Sequence, residues 1–139
     1  MVTQQEQAER AAEVMLGNDA ASKALGMRLL RVAPGEAEVA MRVRPDMVNG
    51  WGLCHGGILA SLADTAFAVA CNTRGTVTVA AGFEVDFLEP AQEGDLLLAT
   101  AVERALRGRS GIYDVTVRRD DTVVAEFRGR SRSLRTPVT

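Results

Sequence analysis

From Gly56 to Asn72 the chain reads GGILASLADTAFAVACN, with Ile58, Leu59, Leu62, Ala63, Ala66, Phe67 and Ala70 at helical spacing and Asp64 as the only charge. Apolar positions recurring at i, i+3, i+4 and i+7 mark the buried face of a helix, and here they cover most of the circumference over about four turns. Such a helix has to be buried on nearly every side. A flat sheet covers only one face, so the rest of the chain must curl around it.

The remaining residues supply that wrapping. Leu29 to Val32, and then Ala37, Val39, Met41 and Val43, alternate with polar or small residues as two strands joined at Pro34-Gly35. After Gly75 the alternation resumes in TVTVAAGFEVDFLEP, DLLLATAVERALR, GIYDVTVRRD and DTVVAEFRGRSRSL, separated by Pro90, Glu93-Gly94, Gly108 and Asp120-Asp121. Ahead of all these, Thr3 to Leu16 reads as a helix ending at Gly17-Asn18, and Asp19 caps a short one from Ala20 to Leu25. Pro45 to His55 reads as a loop. The expected fold is α+β, one domain over residues 1–139, with a long central helix wrapped by a curved antiparallel sheet of about six strands and an N-terminal helical segment over residues 1–25.

Composition narrows the function. A net charge of -2 and a pI near 5.4 argue against nucleic acid as a partner. The longest uncharged stretch, Gly50 to Ala63, is well short of the ~20 apolar residues of a spanning helix, so no membrane is expected. The start of the chain carries Glu and Arg where a secretory signal needs an apolar run, which makes a cytoplasmic location the expectation. Cys54 and Cys71 form neither a disulfide framework nor a metal site and read as reduced thiols; no metal or organic cofactor is expected.

Two features at the central helix carry chemistry. Gly56 and Gly57 lack side chains at a helix start, where N–H groups have no internal acceptors and the dipole is positive, a place suited to a carboxylate, a phosphate or a developing oxyanion. The same glycines also suit a plain tight turn. Asp64 lies within the apolar run, flanked one turn away by Ala60 and Ala68, and its burial as a charge needs compensation. It is either a group with room for a ligand or part of a polar stripe with Ser61 and Thr65. The eight residues from Gly56 to Asp64 span ~12 Å of helix, too far for both to act on one carbonyl carbon. If both are catalytic, two antiparallel copies of the helix must share two sites, which predicts a two-fold dimer.

The Asn49-Gly50 pair, His55-Gly56-Gly57, Leu62-Ala63-Asp64 and the later VDFLEP together resemble the hotdog-fold acyl-CoA thioesterases. HGGILASLADTAFAVACNTRG with the later FRGRS is most similar to the phenylacetic acid degradation thioesterases, the PaaI type. The resemblance spans about Leu25 to Leu134. It implies the element order read above, assembly into dimers and then tetramers, and hydrolysis of an aromatic acyl-CoA such as phenylacetyl-CoA or hydroxyphenylacetyl-CoA.

The resemblance further implies that the Gly56 N–H polarises the thioester carbonyl while Asp64 of the other subunit attacks it or activates water. Asn49 would position the carbonyl or the water, and His55 would fix the loop before the helix. Gly57 and Thr65 are candidates for lining the substrate site. Some relatives carry a hydroxyl on the strand after the helix, where this chain has Val79, Ala80, Ala81 and Gly82, and Thr65 is the substitute at hand. Arg128, Arg130 and Arg132 alternate and so share a strand face, either to bind coenzyme A phosphates or as a solvated surface; Arg107 and Arg109 are a second candidate pair. The alternatives to a hydrolase are a hotdog dehydratase or hydratase acting on acyl thioesters and a non-catalytic acyl-CoA-binding protein.

Overall fold

The computed structural model describes residues 1–139. Thr3 opens α1 (Gln4–Gly17) with a capping box: its hydroxyl accepts from the Glu6 N–H and the Glu6 carboxylate accepts from the Thr3 N–H, so two end donors are satisfied together. Asp19 caps α2 (Ala20–Ala24) by accepting from the Ser22 N–H at 2.9 Å. Then follow β1 (Arg28–Ala33), β2 (Glu36–Arg42), a 3-10 turn (Pro45–Met47), α3 (Gly56–Asn72), β3 (Thr76–Phe87), β4 (Leu96–Arg107), β5 (Ser110–Arg119) and β6 (Thr122–Pro137). The stretch read as a loop thus opens with a short turn, begun by Pro45 at a position where a missing N–H costs nothing. No helix is long and apolar enough to cross a membrane.

All six strands join one antiparallel sheet in the order β1-β2-β4-β5-β6-β3. Period-two alternation puts Gly111, Tyr113, Val115 and Val117 of β5 inside while Ile112, Asp114 and Thr116 face outward, and β6 alternates in the same way through Phe127, Gly129 and Ser131. The concave side holds α3, with Leu62, Ala63, Ala66 and Ala70 fully buried. Phe67 anchors it, with ring centroids 5.6 Å from Tyr113 and 5.7 Å from Phe127. Gly129 lets β6 pass close beneath that ring, since a Cβ there would stand 2.8 Å from three of its carbons. Small inward residues on both partners draw helix and sheet together.

The burial of α3 is uneven. Gly57, Ala60, Ser61, Asp64 and Ala68 keep part of their surface, a stripe about one side chain wide. The sheet leaves a matching gap: β3 is an edge strand of 12 residues with no neighbour on its outer side, and Val79, Phe83 and Phe87 along it are exposed.

Candidate active site

The α3 entry is built by its preceding loop. Asn49 Oδ1 accepts from the N–H groups of Trp51 at 2.9 Å and Leu53 at 3.2 Å, and Gly52 takes a left-handed φ of 74° to close the turn. The Asn49 N–H in turn donates to Leu53 O at 2.7 Å. His55 is the N-cap: its N–H donates to Met47 O and its Nδ1 accepts from the Gly57 N–H at 3.4 Å. Any proton on the neutral ring therefore sits on Nε2. With Gly57 so engaged, Gly56 offers the free donor at the positive end of the helix.

That donor faces a cavity of about 330 Å³ lined by Asn49, Leu53, Leu59, Phe87 and Leu88 among others. Phe87 closes over Gly56 so tightly that a Cβ on residue 56 would lie 3.1 Å from its Cζ. Cys54 lines the same space, but its thiol only reaches the His55 carbonyl at 3.8 Å, and burial, then the Asp95 charge, push its pKa up to about 11. A thiol held protonated in that way is not a nucleophile at neutral pH.

Asp64 opens into a different cavity, about 400 Å³, between α3, the end of α1 and β3, whose walls include Met15, Asp19, Ala68 and Val79. Half-buried, its carboxylate takes part in none of the side-chain hydrogen bonds or ion pairs of the chain, and its pKa is raised by burial and then by the Asp19 carboxylate. Within one protomer, therefore, Gly56 and Asp64 serve separate cavities.

The other candidates are placed as follows. Thr65 is turned away from Asp64: it is buried, and its hydroxyl shares a 2.9 Å bond with Ser22 Oγ, which Asp19 holds in turn at 2.7 Å. Arg128 and Arg130 do share the convex face, but Arg128 spends its fork on Asp114, Nε to Oδ1 at 2.6 Å and the second arm to Oδ2 at 2.8 Å, and Arg130 lies 3.4 Å from Glu84. That pairing holds the Asp114 carboxyl below its usual range. Sequence reasoning missed Phe87 and Leu88 as walls of the Gly56 cavity and Met15 and Asp19 as walls of the Asp64 cavity. The VDFLEP motif contains the first two, yet nothing in its alternation says that β3 ends against the start of α3.

Residues 52–126 match the model of the thioesterase superfamily. The chain is 45% identical over 129 residues to the acyl-coenzyme A thioesterase PaaI of Escherichia coli, covering 92% of each sequence. It superposes on the structure of the E. coli PaaI protein from the phenylacetic acid degradation operon with a TM-score of 0.96 at 42% identity, over 99% of this chain and 100% of that one. A mutant structure of the phenylacetic acid degradation protein PaaI from Thermus thermophilus follows at a TM-score of 0.81 and 43% identity, over 84% of this chain and all of the other. With Gly56 at a capped helix start and Asp64 unpaired within the same helix, the chain belongs to the thioesterase superfamily, as a hotdog-fold member of the PaaI type.

Proposed function

We propose that this thioester hydrolase cleaves an aromatic acyl-CoA, phenylacetyl-CoA or a ring-hydroxylated derivative, to the free acid and coenzyme A, in sites shared across a two-fold dimer. The observation that carries the reading is Asp64: a half-buried carboxylate with no partner in its own chain, facing a cavity from which the oxyanion donor is missing. The E. coli relative named an acyl-coenzyme A thioesterase supports the substrate class, and the phenylacetic acid operon of its structural counterpart supports the aromatic acyl group.

The edge strand supports the dimer. An unpaired 12-residue strand with exposed Val79, Phe83 and Phe87 invites a second copy of itself. Full antiparallel overlap would set Thr76 opposite the partner's Phe87. The Gly56 cavity of one protomer, walled by Phe87, would then meet the Asp64 cavity of the other, walled by Val77 to Ala80. The partly exposed stripe of α3 would lie along its copy. Pairs of such dimers would form the tetramer.

In the shared site the Gly56 N–H donates to the thioester oxygen and stabilises the charge that develops there, while the amide nitrogen of Asn49, the half of that side chain not used in the loop, orients the carbonyl or the water. His55 keeps the loop and helix start in register, and Gly57 lets the acyl group approach. Asp64 attacks the carbonyl carbon to form an anhydride that water then opens, or takes a proton from a water that attacks directly. Either way the C–S bond breaks, the thiolate leaves and is protonated, and no metal or organic cofactor is called for. Purified protein should release free thiol from phenylacetyl-CoA, and Asp64→Asn should lose that activity. Thiol release undiminished by Asp64→Asn, or no release from aromatic acyl-CoAs at all, overturns the proposal. One turnover in ¹⁸O-water can reveal the anhydride: label in the Asp64 carboxylate requires an anhydride opened at the Asp64 carbon, whereas direct hydrolysis, or opening at the acyl carbon, labels the product acid.

A further inference from the structure

Trp51 is the chain's only tryptophan, and it is 87% exposed. The segment that carries it is fixed. Asn49 Oδ1 accepts from the Trp51 N–H at 2.9 Å, the Gly52 N–H returns to Asn49 O at 3.1 Å, and both arms of the turn are tied down, Val48 to Cys54 and Leu53 to Gln92. A rigid turn therefore holds the bulkiest side chain of the protein out in solvent. It does not stand alone there: Asn49 and Leu53, on either side of it, line the Gly56 cavity together with exposed Phe87 and Leu88. The rim of that cavity is thus an apolar patch, and it continues along β3 through exposed Phe83 and Val79.

The Asp64 cavity has the complementary lining. Its walls are mostly hydrocarbon, from Met15, Phe67, Ala68, Val77, Val79 and Ala80. The donors among its polar side chains are spent. Asn72 gives its amide hydrogens to Ala68 O at 2.8 Å and Thr78 O at 3.0 Å, the Thr78 hydroxyl donates to Thr76 O at 2.8 Å, and the Cys71 thiol turns to Ala68 O at 3.5 Å. What remains is acceptor capacity on two carboxylates, Asp64, which has no partner, and Asp19, whose side chain accepts only from Ser22. An indole fits such a lining, because it offers a broad apolar face and a single N–H donor. On the shared-site reading above, on which this step rests, the Gly56 cavity of one protomer meets the Asp64 cavity of the other. Trp51 then arrives at the mouth of the partner's Asp64 cavity.

We propose that Trp51 of each protomer covers the partner's Asp64 cavity and forms the outer wall of the acyl site, which makes it a specificity-determining residue. The ring face packs on the acyl group, and the N–H has the partner's Asp19 as an acceptor at the rim. An aromatic acyl group gains most from this wall, since ring–ring contact adds to burial, whereas an acetyl group offers it one methyl.

A single tryptophan lets fluorescence read its position directly, with sedimentation giving the oligomeric state. The wild-type dimer should emit at shorter wavelength than the protein in denaturant. A thioether analogue of phenylacetyl-CoA, with a methylene in place of the carbonyl, should shift that emission further, and free coenzyme A should not. In kinetics, Trp51→Ala should lower kcat/KM for phenylacetyl-CoA about tenfold more than for acetyl-CoA, and Trp51→Phe should restore most of the difference. The side chain is exposed within its own chain, so Trp51→Ala removes no core contact and should keep the wild-type circular dichroism. A dimer whose emission matches the denatured protein, an emission that responds alike to the analogue and to coenzyme A, or equal losses on both thioesters overturns the proposal. Protein that is monomeric at every concentration sinks the shared site and this wall with it, while a dimer with a solvated indole sinks the wall alone. If wild type hydrolyses neither thioester, the hydrolase reading fails, and the fluorescence still decides where the indole lies.

Discussion

The Phe87 ring and the Gly56 backbone are in such close contact that Gly56 could not carry even a methyl group without moving the ring: Cζ lies 3.1 Å from the position of a Cβ. The ring has to give way by only a few tenths of an ångström. Gly56→Ala should therefore fold with nearly the wild-type thermal midpoint while displacing the ring in the wall of the cavity that the Gly56 N–H faces. Alanine keeps the N–H, so the effect expected is one of misalignment: a fall in kcat that does not exceed the about 10²–10³ of a lost oxyanion donor. Wild-type kcat in a folded Gly56→Ala protein would mean that the Phe87 ring can shift without disturbing the reacting carbonyl.

Asp64 should set the acid limb of the pH–rate profile. Burial and then Asp19 raise its pKa above the usual 3.8, and the group acts as the carboxylate, so activity should fall on acidification at a pH above that value. Asp19→Asn keeps a helix-capping side chain but removes the charge, and should move the limb to lower pH. The stability consequence has the opposite sense to a salt-bridged acid. A folded-state pKa above the unfolded one means that the native state binds the proton more tightly, so this group's stabilisation is lost as pH rises from the unfolded value through the raised one. Asp64→Asn should accordingly raise the thermal midpoint at neutral pH while removing turnover. A midpoint that falls there would show that the carboxylate has a stabilising partner.

Gly129→Ala tests the packing that holds α3. The added methyl meets the buried ring of Phe67 at 2.8 Å, with Tyr113 and Phe127 behind it. Overpacking of a closed core costs typically 1–3 kcal/mol, and a lower midpoint in thermal or denaturant unfolding is the expected result. No change would mean that the helix slides more readily than the aromatic cluster suggests.

The sequence conveys the parts of this molecule whose logic is local. The apolar run of α3 demands a wrapping sheet, and alternation with turn residues at Pro34-Gly35, Gly108 and Asp120-Asp121 marks the strands. What it conceals depends on register. Arg128 and Arg130 visibly share a face, but their partners Asp114 and Glu84 sit on the two adjoining strands, and which residues stand opposite is decided by the whole sheet. Phe87 meets Gly56 only because β3 ends at the start of α3. Thr65 could have been judged differently from periodicity alone: one residue past Asp64 is about 100° around the helix, and that turn takes it to Ser22. The walls from α1 and α2 were hidden because nothing in a helical segment announces where it docks.

The central claim is that each site takes Gly56 from one protomer and Asp64 from the other, and subunit mixing tests it most directly. Asp64→Ala and Gly56→Val proteins, each inactive alone, are combined, exchanged through mild denaturant and assayed for thiol release. In a heterodimer one site receives both lesions and the other neither, so an equal mixture should recover about a quarter of wild-type specific activity. A mixture that stays inactive, once mass spectrometry has demonstrated the exchange, would contradict the shared site.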